Sequence, residues 1–293
     1  MPPTPVSRHV RRLQIQARRL IESTIGGTYA SVFHGAGLSF ADVRPYEFGD
    51  DLRAIDWKVT ARLGQPFVRR HIEERELTVL LAVDASASLD FGSRGATKRS
   101  AVADLAAVVA FAAIAHGDRV GLLLATDSIE RHVRARKGVR HGQRLLRDIL
   151  YFEPHGRSTN LAAALDGVMR GYRRRSVLFL FSDFAGFGYE GALRRAGRKH
   201  DLVAVAVRDP LEIVLPDAGL LQLRDAETGE QRLIDAGSLE VRNAYVAARE
   251  RERADLARIV RSACGELIEI NTGTEYLNEL VRFFQRRRRR RRR

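Results

Sequence analysis

The sequence predicts an α/β fold in which a mostly parallel sheet is flanked by helices on both faces, and three observations carry that prediction. From Leu77 onward, short unbroken apolar runs alternate with runs of helical period. The runs TVLLAVD (residues 78–84) and SVLFLFSD (residues 176–183) are apolar up to a closing aspartate, which suits strands buried on both faces. Between them, Val102, Leu105, Val109 and Ala112 recur at helical spacing.

The remaining elements follow in order. RVGLLLA (residues 119–125) reads as the next strand, with a shorter one over residues 129–134 beside it, then helices over 143–151 and 161–172. After the strand at 176–183 comes another, DLVAVAV (residues 201–207). Residues 211–236 read as an inserted β-hairpin turning at Thr228 and Gly229, placed before a long charged helix over 239–262. A strand, ELIEIN (residues 266–271), and a helix over 274–284 close the domain. Residues 1–75 form an N-terminal extension: a basic helix over 10–21, a glycine-punctuated stretch, and a turn-rich run down to Pro66. The expected organisation is therefore an extension over 1–75, an α/β domain over 76–285, and a tail over 286–293. That tail is eight consecutive arginines, which repel one another and are expected to be disordered.

Composition narrows the class. The 293 residues are 45% hydrophobic and 29% charged, which excludes a wholly disordered chain. The formal charge is +14, and the eight terminal arginines leave +6 for the rest, so the basicity is concentrated. The lone cysteine, Cys264, fits a reducing compartment and is expected to be a small core hydrophobe. The first residues lack the apolar stretch of a secretory signal, and the longest apolar run, residues 101–115, is shorter than the ~20 residues needed to cross a bilayer. The expectation is a soluble cytoplasmic protein with no membrane span.

The chemistry concentrates in VDASASLDFGS. Asp84 closes a strand, and Ser86 and Ser88 follow in the loop, where open parallel sheets collect ligands. Thr159 in GRSTN and Asp183 in FLFSDF fall at element ends that an alternating fold brings to the same edge. A carboxylate closing so apolar a strand is costly unless a cation or hydrogen bonds compensate it. Two carboxylates with three hydroxyls form an oxygen-only set that suits Mg²⁺, Mn²⁺ or Ca²⁺ over zinc. Taken without such convergence, Asp84, Ser86 and Ser88 read equally as helix-capping residues.

These positions resemble the metal-ion-dependent adhesion site of von Willebrand factor A domains: Asp-x-Ser-x-Ser after the first strand, a threonine before a middle helix, an aspartate after the fourth strand. The resemblance implies that Ser86, Ser88 and Thr159 touch the metal by their hydroxyls, that Asp84 and Asp183 act directly or through water, and that a carboxylate of the partner completes the octahedron. Phe184 stands where many such domains have glycine. The run FADVRPYEFGDDLRAIDWKVTARLGQPFVRRHIEERE (residues 40–76), with SDF at 182–184, HD at 200–201 and DPLE at 209–212, is similar to the signature of the bacterial domain of unknown function 58 family. That resemblance implies an accessory partner of MoxR-type AAA+ ATPases.

The functional expectation is a non-enzymatic, Mg²⁺-dependent protein-binding adaptor serving such an ATPase and a client protein. Two alternatives are a metal-dependent hydrolase using the same oxygens and nonspecific nucleic-acid binding through the arginine tail. No phosphate-binding G-x-x-x-x-G-K-[ST] loop is present, and the scattered histidines are expected at the surface. Within residues 44–62, Arg44, Arg53 and Arg62 mix with Asp50, Asp51 and Asp56 around Tyr46 and Trp57. An ion-pair and aromatic lock against the core is the expected role, with a surface read by the ATPase as the alternative.

Overall fold

A computed structural model describes residues 5–33, 42–70 and 76–291. The chain opens with α1 (Pro5–Leu20), whose Val10, Leu13 and Ala17 are buried, and continues through a widened turn at Ile21–Ile25 into α2 (Gly26–Phe33). Both helices share one apolar cluster with the main sheet, so the extension ahead of residue 76 contributes to the same core.

Residues 42–70 hold a small antiparallel pair, β1 (Asp42–Pro45) and β2 (Phe67–Arg70), with α3 (Trp57–Leu63) between them. Here the structure corrects the expected lock. Trp57 is 70% exposed, and Phe48, Leu52 and Leu63 are also exposed. The acidic residues act locally: Asp50 pairs with Arg44 at 2.6 Å, Asp51 accepts the amide N–H of Arg53, and Asp56 caps α3. Carboxylates followed closely by helical amides accept those amides where they stand.

The body begins with β3 (Thr78–Asp84) and α4 (Lys98–Ala115), then the paired β4 (Arg119–Ala125) and β5 (Ile129–Arg136). Helices α5 (Val139–Tyr151) and α6 (Leu161–Gly171) lead to β6 (Val177–Ser182), α7 (Glu190–Lys199) and β7 (Asp201–Arg208). The short α8 (Pro210–Ile213) precedes the hairpin of β8 (Leu220–Arg224) and β9 (Gln231–Asp235). The long α9 (Leu239–Ser262), β10 (Glu266–Asn271) and α10 (Leu277–Arg291) complete the chain.

The main sheet has the order β10-β7-β6-β3-β4-β5, parallel except for the edge strand β5, which runs against β4. This is the expected α/β fold, a mostly parallel sheet flanked by helices. Every residue of β6 and all but the first of β3 are buried, as their unbroken apolar character requires. Val79, Leu81 and Val83 face α1, α4, α5 and α10, while Leu80 and Ala82 face α6, α7 and α9. The helix after β3 thus covers one face, and the helix after β6 covers the other. Between those two neighbouring strands lies the crevice in which doubly wound sheets place their ligands.

Three expectations are corrected. The arginine run is helical through residue 291, because Arg287 has something to bury against. Its side chain is 8% exposed, its guanidinium lies 4.7 Å from the Phe33 ring centroid, and it pairs with Asp201 and, at 3.3 Å, with Glu266. Cys264 is exposed, because its backbone adopts φ 56° to turn the chain out of α9 and aims the thiol at solvent. His200 is 1% exposed at the start of β7, where burial, with Lys199 and Arg175 nearby, lowers its pKa to about 4. Among the described residues, no helix is long and apolar enough to cross a membrane.

Arg287 anchors the end of α10 to the sheet, whereas Arg289 is exposed and makes no ion pair among the described residues. Arg287→Ala is expected to lower stability by about 2–3 kcal/mol in urea denaturation, since Asp201 and Glu266 lose their cation. Arg289→Ala is expected to change it by no more than about 0.5 kcal/mol.

Candidate functional site

The parallel register sets Val83 beside Phe181, so Asp84 at the end of β3 lies level with Ser182 at the end of β6. Asp84 is 2% exposed and fully engaged. One carboxylate oxygen accepts the Ser86 amide at 2.9 Å, and the other accepts the Ser182 hydroxyl at 2.7 Å and lies 3.3 Å from Thr159 Oγ1. The Ser86 and Ser88 hydroxyls are 3.1 Å apart. All five residues singled out in the sequence, Asp84, Ser86, Ser88, Thr159 and Asp183, therefore meet in one group drawn from three loops, with Asp84, Ser86, Ser88 and Thr159 linked by hydrogen bonds and Asp183 near enough to act on Asp84 by charge.

Each loop is held from outside the group. The segment carrying Thr159 is pinned by Glu130 of β5, whose carboxylate accepts the amides of His155 and Gly156 and the hydroxyl of Thr126. The Gly156 amide above all holds the Glu130 carboxyl down at about 2. A Cβ at Gly156 would sit 2.4 Å from Thr126 Oγ1, so only glycine lets the chain pass this close. The Ala87 amide donates to the Arg157 carbonyl at 3.0 Å, tying the serine loop to the threonine loop. Further along the serine loop, Ser93 binds the buried Asp209, which also accepts the Thr272 hydroxyl.

The loop after Asp183 is shaped by Phe184. Its φ is 57°, a conformation glycine adopts freely, yet its ring is buried and packs 5.8 Å from Tyr189. The strain, of order 1 kcal/mol, is offset by that burial.

The electrostatics turn on Lys98, which the sequence reading left unassigned. It is the first residue of α4 and completely buried, and its ammonium lies 2.8 Å from Asp183 Oδ2 and 2.6 Å from Glu212 Oε1. Glu212 in turn accepts the Asp209 amide in the capping box of α8, which explains the DPLE run. Burial alone would lower the Lys98 pKa, but Asp183 and Glu212 outweigh it and raise it. Burial likewise pushes the Asp183 carboxyl up, but Lys98 and Ser88 outweigh it and hold it below its ordinary value. Asp84 has no such cation. Burial first and the charge of Asp183 second raise its carboxyl to about 6, against the pull of Ser86 and Ser182.

A second residue missed in the sequence is Glu227, at the tip of the β8–β9 hairpin. Its carboxylate accepts Thr159 Oγ1 at 2.6 Å and the Thr159 amide at 2.9 Å. Asp84, Asp183, Glu212 and Glu227 thus place four negative charges against Lys98, the one cation hydrogen-bonded to this group among the described residues. A dication would reduce that excess from three charges to one. No cluster of three or more His, Cys, Asp or Glu side chains suited to a metal occurs among the described residues. Any cation here would therefore draw on hydroxyls as well as carboxylates, a donor set that fits Mg²⁺, Mn²⁺ or Ca²⁺.

Residues 42–255 match the family described as protein of unknown function DUF58, and the chain belongs to that family. A relative from Mycobacterium tuberculosis (strain ATCC 25618 / H37Rv), named uncharacterized protein Rv1480, is 35% identical over 281 residues, covering 95% of this chain and 88% of its own. A shorter relative from Mycobacterium avium, uncharacterized protein MAV169, is 36% identical over 160 residues, covering 53% of this chain and 93% of its own. Among solved structures, conserved hypothetical protein BatB from Bacteroides thetaiotaomicron is similar with a TM-score of 0.45 at 11% identity, covering 72% of this chain and 98% of that one. The SpRpn10 VWA domain is similar with a TM-score of 0.45 at 12% identity, covering 70% and 94%.

Two measurements probe this charge arrangement. Lys98→Met leaves Asp183 buried without its cation and is expected to cost about 3–5 kcal/mol of stability in urea denaturation. For Asp84, a folded pKa of about 6 against an ordinary 3.8 means the folded state holds the proton more tightly. That advantage is present below about pH 4 and is lost as the pH rises to about 6. In EDTA, Asp84→Asn is therefore expected to gain stability relative to wild type across that window, by an amount of order 3 kcal/mol that stays constant above it. A difference independent of pH would contradict the assignment.

Proposed function

We propose that this chain is a non-enzymatic, Mg²⁺-dependent protein-binding adaptor that serves a MoxR-type AAA+ ATPase in remodelling or maturing a client protein. The observation that carries the metal-dependent part is the meeting of five oxygen-bearing residues from three loops in a crevice where four carboxylates face the single ammonium of Lys98 among the described residues. Ser86, Ser88 and Thr159 would hold the cation by hydroxyl oxygens, with Asp84 and Asp183 acting directly or through water. When bound, Mg²⁺ supplies an open coordination position that takes a carboxylate oxygen of a partner protein.

The chain's own residues prepare that position. Ser182 orients Asp84 by donating to its carboxylate, Lys98 holds Asp183 against the serine loop, and Glu130 fixes the segment that presents Thr159. Binding is favoured over hydrolysis by the pairing of Lys98 with both Asp183 and Glu212, which leaves neither carboxylate free to act as a general base. The ATPase and client rest on the family resemblance of residues 40–76. The exposed Trp57, Phe48 and Leu52 of that segment support a surface that meets another protein.

Calorimetric titration with MgCl₂ is expected to give saturable heats for wild type and none for Asp84→Ala. Equal heats from both proteins would remove the metal from the proposal. Pull-down from a bacterial lysate is expected to retain an AAA+ ATPase in Mg²⁺ and to lose it in EDTA. Retention that ignores EDTA would separate the partner from the metal.

A further inference from the structure

The hairpin inserted between β7 and α9 ends in a tight turn with a defined task. Asp225 accepts the amides of Glu227 at 2.8 Å and Thr228 at 3.1 Å, and Gly229, at φ 75°, closes the turn by donating to the Asp225 carbonyl at 2.9 Å. These bonds point Glu227 outward from the hairpin and onto Thr159, where one carboxylate takes both the hydroxyl and the amide. Among the described residues, every hydrogen bond from the turn to residues beyond the hairpin is made by Glu227. The strands behind it are weakly packed: Leu220 and Leu233, on one face of the hairpin, are each 68% exposed. The hairpin is thus an arm held at its base by Arg242, which donates to the carbonyls of Ala236 and Gly237, and at its tip, among the described residues, by one carboxylate on a residue of the candidate metal group.

We infer that Glu227 is a built-in ligand: it occupies the position that an acidic side chain of a partner protein takes, and a partner binds by displacing it. This rests on the metal-dependent reading above for the cation beneath it, while the contact between Glu227 and Thr159 stands without it. The partner class follows from the chemistry of the turn. It is a protein loop that presents a Glu or Asp from a tight turn, as Asp225–Gly229 presents Glu227. Because the internal carboxylate is tethered, its effective concentration at Thr159 is in the millimolar range, and a free competitor of ordinary affinity is held off by an order of magnitude or more.

The test uses the full chain and a probe copied from the hairpin itself, a fluorescent cyclic peptide carrying RDAETGEQ (residues 224–231). With Mg²⁺ present, Glu227→Ala is expected to bind this peptide at least about 10-fold more tightly than wild type. A peptide with Gln at the Glu227 position is expected not to bind. In parallel, amide hydrogen exchange at Thr159 is expected to speed up in Glu227→Ala, which reports loss of the internal contact independently of any metal. Equal binding to both proteins, or binding to neither, overturns the inference. The double variant D84A/E227A distinguishes this failure from failure of the metal reading. If the peptide binds the double variant as well as it binds Glu227→Ala, the carboxylate position is real but needs no cation. If it binds Glu227→Ala alone, both readings hold.

Discussion

The structure depends on a problem posed at the ends of two adjacent central strands: Asp84 and Asp183 are buried carboxylates that repel one another. Neither strand can carry a charge there at low cost, since the runs that precede them are apolar and sealed by helices on both faces. The chain meets half of the problem internally. Lys98, placed at the first turn of the most deeply buried helix, neutralises Asp183 and is steadied by Glu212, which is itself fixed by the cap of α8. Asp84 receives hydrogen bonds and no cation, and its raised pKa is the trace of that omission. A group left short of positive charge in a preorganised crevice is the feature on which the proposed cation binding rests.

Preorganisation comes from residues outside the group. Glu130, Asp209 and Ser182 each spend a side chain on holding a loop, and the loops hold each other through Ala87 and Arg157. Thr159 therefore reaches Asp84 by a fixed path, and Glu227 finds Thr159 already in place. The hairpin is the opposite kind of element, with exposed strands and a tip held, among the described residues, by Glu227 alone. A rigid crevice facing a lightly held arm allows an exchange of one carboxylate for another without remodelling the sheet.

Much of this was legible in residue order. The central strands and the long α9 lie close to where unbroken apolar runs and helical spacing put them, because such runs have one physical outcome in a parallel sheet. The five site residues were legible for a related reason: small polar residues just past a buried strand have few places to be except the ligand edge. What was not legible depends on distant partners. Lys98 reads as an ordinary helix-start residue until Asp183 and Glu212 close on it. Its signal was a lone lysine heading a helix rich in alanine and valine. Glu227 reads as one more polar turn residue. Arg287 lies within a run of identical residues, and only the rings of Phe33 and Phe283 and the carboxylates of Asp201 and Glu266 set it apart. Trp57 misled in the other direction, since aromatic character alone does not say which surface it faces.

The most direct measurement of the central claim is anomalous diffraction from crystals of the full chain soaked in Mn²⁺. The expected result is a single strong peak at about 2 Å from the hydroxyl oxygens of Ser86 and Ser88, between Asp84, Thr159 and Asp183. A map with no peak in that crevice, or with Mn²⁺ held only elsewhere on the surface, would contradict it.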